Sequence, residues 1–384
     1  MKTRILLVGV GGYGAVYVEE LLRSPRLADV QLVGAVDPFA GASRCAAELT
    51  AAGVPFYDTL EAFYAARAAD LAVVSTPTQR HAEQAVYAMR QGSHVLIEKP
   101  LAATGALAQQ MLDARDQTGR ILAVGFQWCY DPAMLRLKAD VDAGRLGRPL
   151  LLRALVLWPR DRAYFQRGMG WAGKKYGADG APIFDCVASN ATAHYLENML
   201  WLTGRGYEGA AVTTLEARTA RVNDIEMYDT LVLRAGLDNG AQLLFAASHA
   251  AGPEHVQNPM FIYTFENGVV TFGGPGQNGE RITARLHDGT VLNYGVSRPD
   301  NAAGKLWTTV DAVRGRNVPL PCPAEAALQH VRTMERVLAV CPEPYVIPPS
   351  ARRLDGDVVW APGLAETLTA CFADTRLPPE AWGL

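Results

Sequence analysis

The residues from Gly92 to Leu101 carry side chains that could do chemistry at the end of a strand. An apolar strand, His94 to Ile97, is followed directly by a carboxylate, an ammonium group and a proline. Ligands of open parallel sheets bind beyond the carboxyl ends of the strands, so we expect Glu98 and Lys99 to project into such a crevice. A solvated strand end with a turn-forming proline at position 100 is the alternative interpretation.

A second group of chemically active side chains lies on a predicted helix, Cys186 to Leu202. Asn190, His194 and Asn198 recur at intervals of four residues, which places them on one helix face. An imidazole can accept the proton of a hydroxyl group, and a nearby ammonium group can stabilise the alkoxide that develops. We therefore predict that His194 and Lys99 converge in these two roles, although a lone helix histidine is more often a packed structural residue.

A glycine-rich turn indicates the cofactor. The strand-like run Arg4 to Val8 leads directly into Gly9 to Gly14, with the sequence GVGGYG, and then into a helical segment. In this context the glycines permit a tight turn and a close approach of the backbone to a pyrophosphate. Asp37 ends the next strand about 20 residues later, where an acid binds the adenosine ribose hydroxyls. Its charge would repel a 2′-phosphate, which favours NAD, while Arg44 keeps NADP as the alternative.

Strand and helix patterns alternate through the first third of the chain and predict a doubly wound α/β domain with a parallel sheet. Between its fourth strand, residues 71–74, and the following helix, Thr76 and Pro77 form a small, rigid turn along which the cofactor can lie. His81 begins that helix, where a structural role is more common than a catalytic one. A last strand, residues 121–125, ends this domain, which we assign to residues 1–126.

After residue 126 the pattern changes to that of an α+β domain, assigned to residues 127–384. We predict helices at 132–143, 186–202, 324–340 and 364–372, and a long strand at 150–158. Six further strand-like runs between residues 211 and 286, with Asn-Gly and Asp-Gly turns, indicate a large open sheet that is mainly antiparallel.

An irregular stretch, Pro159 to Pro182, is expected to bind the substrate, because long loops inside compact domains tend to be functional. Aromatic side chains there could stack on a sugar ring, and cationic ones could bind a hydroxyl or an acid group. Both kinds are more often simply core or solvated. The residues concerned are Arg160, Tyr164, Trp171 and Lys174.

Composition excludes several classes of protein. The 384 residues, 49% hydrophobic and 20% charged, are typical of a globular chain with two lobes. No apolar run reaches the roughly 18 residues of a membrane span, and a net charge of −3 indicates neither a nucleic-acid nor a membrane partner. The six scattered cysteines predict no metal site. The N-terminus lacks a signal-peptide pattern, so we expect a cytoplasmic location.

These segments together resemble the Gfo/Idh/MocA family, named after glucose-fructose oxidoreductase, inositol dehydrogenase and a rhizopine catabolism protein. The resemblance is specific in the first lobe and looser in the second. It rests on the glycine-rich turn, Ser75-Thr76-Pro77 with His81 behind it, Gly92 to Leu101 with its Glu-Lys-Pro, and Tyr130-Asp131-Pro132 with residues 144–149.

The resemblance implies hydride transfer between a nicotinamide and a sugar, polyol or related compound. It also implies a Rossmann lobe and a second lobe that often forms the interface of an oligomer, so we expect a homodimer or homotetramer. It matches Lys99 and His194 to the family's lysine and catalytic histidine, and it places Glu98 and Gln127 near the nicotinamide. The expected cofactor contacts are then Gly9, Gly11, Gly12, Tyr13, Gly14, Asp37, Thr76, Pro77, His81, Glu98, Lys99 and Gln127.

One position departs from the family pattern. Family dehydrogenases commonly have an aspartate four residues before the histidine, where this sequence has Asn190. An amide can orient a ring or bind a hydroxyl group but supplies no negative charge, so we expect Asp185 to reach the site as well. We assign Asn190 to both catalysis and substrate binding. The expected substrate contacts are Arg160, Tyr164, Trp171, Lys174, Asp185, Asn190 and His194.

Two functions of other classes remain open at this stage. A glycosidase that keeps NAD bound would oxidise its sugar only transiently, and would cleave aryl glycosides without net formation of NADH. A ligand sensor on the same scaffold would have no catalysis, which the presence of Lys99 and His194 disfavours.

Overall fold

The computed structural model describes residues 2–167, 170–274, 280–297 and 302–383. The chain divides into two compact units, the first formed by Met1–Tyr130 with Pro299–Leu328 and the second by Asp131–Arg298 with Gln329–Leu384. The predicted boundary after residue 126 lies close to the end of the first segment. The return of residues 299–328 to the first unit differs from the predicted assignment, because no local pattern indicates which sheet a distant helix packs on.

The first unit is built on a six-stranded parallel sheet in the order β3-β2-β1-β4-β5-β6, which confirms the predicted doubly wound α/β domain. Elements are numbered in chain order. Its strands are Thr3–Val8 (β1), Val30–Val36 (β2), Phe56–Tyr57 (β3), Leu71–Val74 (β4), His94–Ile97 (β5) and Leu122–Val124 (β6). Its helices are Gly14–Arg23 (α1), Ala46–Ala51 (α2), Leu60–Ala66 (α3), His81–Arg90 (α4), Gly105–Thr118 (α5) and Ala303–Val313 (α9).

Helix α9 is part of the core of this unit. Its side chains Leu306 and Val310 are fully buried in the same apolar cluster as Ile5 and Leu7 of β1 and Val18 of α1. Burying an aliphatic side chain of this size contributes about 1.5–3 kcal/mol relative to exposure, so α9 is bound firmly to this cluster. The sequence analysis did not predict α9.

The second unit holds a nine-stranded sheet in the order β14-β13-β12-β11-β7-β10-β9-β8-β15. Its strands are Pro149–Leu157 (β7), Val212–Arg221 (β8), Thr230–Leu237 (β9), Gln242–Ser248 (β10), Gln257–Phe265 (β11), Gly268–Phe272 (β12), Arg281–Leu286 (β13), Val291–Val296 (β14) and Tyr345–Val346 (β15). A small hairpin, Arg353–Asp355 (β16) and Val358–Trp360 (β17), stands apart. The pairs β7·β10 and β8·β15 are parallel and the other six pairs are antiparallel, which confirms the mainly antiparallel sheet.

Five further helices lie in the described part of the chain. They are Pro132–Asp142 (α6), Arg162–Gln166 (α7), Ala193–Thr203 (α8) and Leu364–Asp374 (α11), and Ala324–Val340 (α10) runs from the first unit into the second. Among the described residues no helix is long and apolar enough to cross a membrane.

The parallel pair β7 and β10 brings two strand ends to the same edge of the sheet. Leu157 pairs with Ser248, and the backbone N–H of Trp158 donates to the Ser248 carbonyl over 2.9 Å. The pairing continues past both strands, because the N–H of Arg160 donates to the carbonyl of His249 over 3.0 Å. Side chains that follow β7 therefore lie beside His249.

The predicted helix 186–202 is wrong at its start, because α8 begins only at Ala193 and residues 187–192 form turns. Local hydrogen bonds compete with the helix there. The Thr192 hydroxyl donates to the carbonyl of Val187 over 2.6 Å, and the Ser189 hydroxyl accepts from the N–H of residue 186 over 2.9 Å. Asn190 therefore precedes the helix and does not share a helical face with His194.

Candidate active site

The glycine-rich turn between β1 and α1 has the shape that a pyrophosphate needs. Gly9 has φ +81°, and a Cβ atom on it would lie 2.8 Å from the carbonyl oxygen of Ser75. A Cβ atom on Gly14 would lie 2.1 Å from the carbonyl oxygen of Gly9, so the turn closes only with glycine at both positions. At Gly11 and Gly12 such an atom would meet nothing within 4 Å, which leaves the backbone open to a ligand.

Asp37 lies beside this turn at the carboxyl end of β2. Its carboxylate accepts hydrogen bonds from the N–H groups of Val10 and Phe39, both over 2.9 Å. Each carboxylate oxygen has a second lone pair, so both still have capacity for a ribose hydroxyl. Arg44, which kept NADP as an alternative, forms an ion pair with Glu19 at 2.9 Å. The residues of this edge therefore fit NAD.

His81 joins the two turns that border this edge of the sheet. Its ring nitrogens lie 2.9 Å from the carbonyl oxygens of Thr76 and Pro100, and its side chain is buried. Burial lowers the pKa of His81, and the two carbonyls oppose that shift. Both ring nitrogens face backbone carbonyls, so His81 holds the two turns together, and its predicted contact with the cofactor stays a prediction. The Thr76 hydroxyl donates to Gln84 over 2.5 Å, and Pro77 is exposed.

Glu98 is buried at the end of β5, and its predicted position near the nicotinamide stays a prediction. Its buried carboxylate accepts a hydrogen bond from the Tyr17 hydroxyl over 2.7 Å and forms an ion pair with Lys305 of α9. A Cβ atom on Gly125 would lie 2.7 Å from Glu98 Oε1, so that glycine leaves room for the carboxylate. Burial first, and then the charge of Glu98, raise the pKa of Tyr17 well above its usual value. Lys99, at the same strand end, is half-buried.

Lys305 links Glu98 to the glycine-rich turn. Its ammonium group donates to the Tyr13 hydroxyl over 3.0 Å and lies 4.5 Å from the centre of that ring. The Tyr13 hydroxyl in turn donates to Gln127 over 3.4 Å. Three predicted cofactor residues are thus joined through a lysine that the sequence analysis missed. A lysine within the apolar pattern of residues 303–313 was the signal that could have found it.

In the second unit, Asp185 and Asn190 form a pair. The Asn190 amide donates to Asp185 Oδ1 over 2.9 Å, and the N–H of Gly173 donates to Oδ2 over 2.7 Å. The carboxylate is buried, so Asp185 supplies next to Asn190 the negative charge that the amide lacks. Lys174 is half exposed and forms an ion pair with Glu226 at 2.9 Å.

Guanidinium groups and aromatic rings gather around Tyr164 of α7. The guanidinium carbon of Arg167 lies 3.5 Å from the centre of the Tyr164 ring and 4.8 Å from that of Trp171. The guanidinium carbon of Arg160 lies 4.8 Å from the same tyrosine ring. Three predicted substrate residues are therefore brought together, and Arg167 joins them without having been predicted.

His249 is a second residue of this cluster that the sequence analysis missed. It follows β10 and packs edge-on against Tyr164, with ring centres 5.3 Å apart. Its Nδ1 lies 2.9 Å from the carbonyl oxygen of Trp158. Burial first, and then the charges of Arg160 and Arg167, lower the pKa of His249 to about 3 against the opposing Trp158 hydrogen bond, so the ring is neutral. Its position at the carboxyl end of a predicted strand was the available signal.

His194 is half-buried in the first turn of α8. It belongs to the second unit and Lys99 to the first. Their predicted convergence on one substrate stays a prediction.

Comparison with known proteins supports this description of the first unit. Residues 3–126 match the family Gfo/Idh/MocA, described as an oxidoreductase family with an NAD-binding Rossmann fold. The chain is 37% identical over 157 residues to an inositol 2-dehydrogenase of Mycolicibacterium smegmatis, covering 40% of this chain and 44% of that protein. It is 24% identical over 215 residues to an inositol 2-dehydrogenase of Salmonella typhimurium, covering 55% of this chain and 58% of that protein. The chain thus aligns with about half the length of these relatives.

Solved structures share the fold over most of the chain. The WlbA dehydrogenase from Bordetella pertussis, in complex with NADH and UDP-GlcNAcA, has a TM-score of 0.71 at 22% identity, covering 89% of this chain and 97% of that one. The UDP-N-acetylglucosamine 3-dehydrogenase GnnA from Acidithiobacillus ferrooxidans has a TM-score of 0.69 at 20% identity, covering 88% of this chain and 98% of that one. Residues 3–126 therefore match the NAD-binding Rossmann domain of the Gfo/Idh/MocA oxidoreductase family, and most of the chain shares its fold with these solved structures.

Proposed function

We propose that the protein transfers a hydride between NAD and a secondary alcohol or carbonyl group of a sugar, cyclitol or related polyol. The observation that carries the proposal is the open glycine-rich turn with Asp37 beside it, at the carboxyl ends of β1 and β2. Support comes from the relatives, which are named inositol and sugar dehydrogenases.

The first unit would hold the cofactor, which supplies the hydride acceptor or donor when bound. Backbone N–H groups at the start of α1 bind the pyrophosphate, and Asp37 accepts hydrogen bonds from the ribose hydroxyls. The negative charge of Asp37 disfavours a 2′-phosphate and so selects NAD over NADP. Lys305 and Glu98 hold Tyr13 and the end of β5 in place through a hydrogen bond and an ion pair.

The proton that accompanies hydride transfer would be moved by the chain's own side chains. In the oxidative direction His194 accepts the proton of the substrate hydroxyl, and the ammonium group of Lys99 stabilises the developing alkoxide. Asn190 binds a substrate hydroxyl, and its partner Asp185 provides the negative charge that favours a protonated imidazole. These roles extend the sequence-based assignment and are proposals.

A substrate screen tests the proposal. Polyols, cyclitols and sugars are incubated with NAD and NADP in parallel, and formation of reduced cofactor is followed by its absorbance. Lys99→Met and His194→Gln should each lower kcat by about 10²–10⁴-fold, and the His194 variant should retain NAD binding as measured by calorimetry. Matched controls are Lys175→Met and His255→Gln, whose side chains pair with exposed glutamates.

Other outcomes would identify the alternatives. Cleavage of aryl glycosides with retained cofactor and no net reduced cofactor would point to a glycosidase. If the wild-type protein binds a polyol or sugar but does not turn it over, the protein is a sensor and the proposal is contradicted. Equal kcat in the wild type and the Lys99→Met variant would remove the lysine from the mechanism.

We also infer a homodimer or homotetramer, on the family resemblance alone. Light scattering of the purified protein, at concentrations spanning those of the activity assay, measures the assembly. A monomer at all concentrations would contradict this part of the proposal.

A further inference from the structure

Arg160 and Arg167 are two cations for which the described part of the chain offers no carboxylate partner. Their guanidinium groups lie instead against aromatic rings, Arg160 against Trp158 and Tyr164, and Arg167 against Tyr164 and Trp171. Arginine commonly stacks on aromatic rings while its N–H groups bind a carboxylate or phosphate in the plane of the guanidinium. The two arginines are therefore arranged to receive an anion.

Two buried polar atoms of this cluster lack hydrogen-bond partners among the described residues. They are the Nε–H of Arg160, a donor, and Nε2 of His249, on a side chain only 2% exposed. Nδ1 of His249 faces the carbonyl oxygen of Trp158, which can only accept, so Nδ1 carries the proton and Nε2 is an acceptor. Leaving such a group unsatisfied is costly, and native structures rarely do so without a ligand, water or functional reason.

The carboxylate of Asp185 lies near this cluster but is already bound by other groups. Asp185 is near enough to raise the pKa of Tyr164, a shift in which burial is the largest cause. Both oxygens of Asp185 are already engaged by Gly173 and Asn190. The two guanidinium groups therefore remain available to an anion, while the imidazole of His249 is neutral.

We propose that this cluster is an acid-group subsite, in which Arg160 and Arg167 bind the carboxylate of a polyhydroxy acid and His249 Nε2 accepts a hydrogen bond from a neighbouring hydroxyl group. The inference rests on the proposed function for the polyhydroxy character of the ligand, and it narrows the substrate class to sugar acids. The rings of Tyr164 and Phe165 lie edge-on against His249, with centres 5.3 and 6.4 Å away, and so border the imidazole.

Binding measurements on the full-length protein test this subsite without relying on turnover. Calorimetry and thermal shift are run with gluconate, glucuronate and galacturonate, each compared with its neutral counterpart sorbitol, glucose or galactose. At least one acid should bind, and its neutral counterpart should bind at least tenfold more weakly. Arg160→Met and Arg167→Met should each weaken binding of that acid by about 10- to 100-fold, since each removes charge-assisted hydrogen bonds.

A matched control is Arg162→Met, an exposed arginine at the start of α7 between Arg160 and Arg167 in the sequence, which should leave the affinity within about twofold. Unchanged NAD affinity of each variant checks that the chain is folded. His249→Asn, whose amide nitrogen can replace Nδ1 toward the Trp158 carbonyl, should weaken binding of the hydroxy acid less than either arginine variant does.

Several results would overturn the subsite. They are binding of none of the acids, equal binding of acids and neutral counterparts, unaltered affinity in both arginine variants, and preferential binding of a hexose phosphate. Failure of the proposed function looks different. In that case an acid binds, both arginine variants weaken its binding, and no reduced cofactor forms. If instead the protein oxidises a neutral polyol at a rate that neither arginine variant changes, only the subsite is refuted.

Discussion

Replacing Lys305 by methionine removes the cation that contacts the buried carboxylate of Glu98. The side chains of the pair are 1% and 9% exposed, so water cannot take the place of the ammonium group. Breaking a buried ion pair by removing one partner costs about 3–5 kcal/mol, because the other charge stays buried. The Tyr17 hydroxyl still donates to Glu98, which places the expected loss near the lower end, about 3 kcal/mol.

The change in the free energy of unfolding is measured by urea denaturation, followed by fluorescence. Trp307, on the same helix as Lys305, lies in the core of the first unit and reports on it. A loss of about 3 kcal/mol is a large part of the 5–15 kcal/mol that stabilises a typical domain. NAD affinity should fall as well, because Lys305 also donates to the Tyr13 hydroxyl of the glycine-rich turn.

Two comparisons make this prediction refutable. Glu98→Gln combined with Lys305→Met removes both charges, keeps the Tyr17 contact, and should recover at least half of the lost stability. Lys175→Met, which breaks an ion pair with the largely exposed Glu343, should cost no more than about 1 kcal/mol. The reasoning fails if Lys305→Met lowers the free energy of unfolding no more than Lys175→Met does, or if the double variant is less stable than Lys305→Met alone.

Three further predictions concern the cofactor turn and the second unit. Asp37→Asn should weaken NAD binding about tenfold and lower the ratio of the affinities for NAD and NADP, because the ribose loses a charged acceptor. Titration with both cofactors measures this, and unchanged affinities would contradict it. Gly14→Ala should abolish NAD binding in the same titration, since its Cβ would lie 2.1 Å from the carbonyl oxygen of Gly9, whereas Gly41→Ala meets nothing within 4 Å and should bind normally. The pKa of His249 is lowered from 6.5 to about 3 on folding, so the unfolded chain takes up a proton first as the pH falls. The free energy of unfolding of the wild type should therefore fall by about 2 kcal/mol more between pH 7 and pH 5 than that of His249→Asn. Urea denaturation at both pH values measures this, and an equal fall in the two proteins would refute it.

Local patterns determined much of the fold and the cofactor edge. Gly9 to Gly14 and Asp37 were predicted because turn chemistry and strand periodicity are encoded within a few neighbouring residues. Helix α10 has the predicted bounds, and the mainly antiparallel sheet follows from alternating strands and short hairpin turns. The start of α8 was misjudged because hydrogen bonds from Ser189 and Thr192 outweigh an otherwise helical pattern.

The partners of the site side chains were decided only by tertiary structure. Lys305 reaches Glu98 across 207 positions, because α9 returns to the core of the first unit. Likewise, His249 meets Arg160 because β7 and β10 pair in parallel with their carboxyl ends at one edge. A sequence specifies which residues can carry charge, and only packing decides which charges are buried together. Contacts between distant segments depend on strand register and helix docking, and no local pattern encodes either.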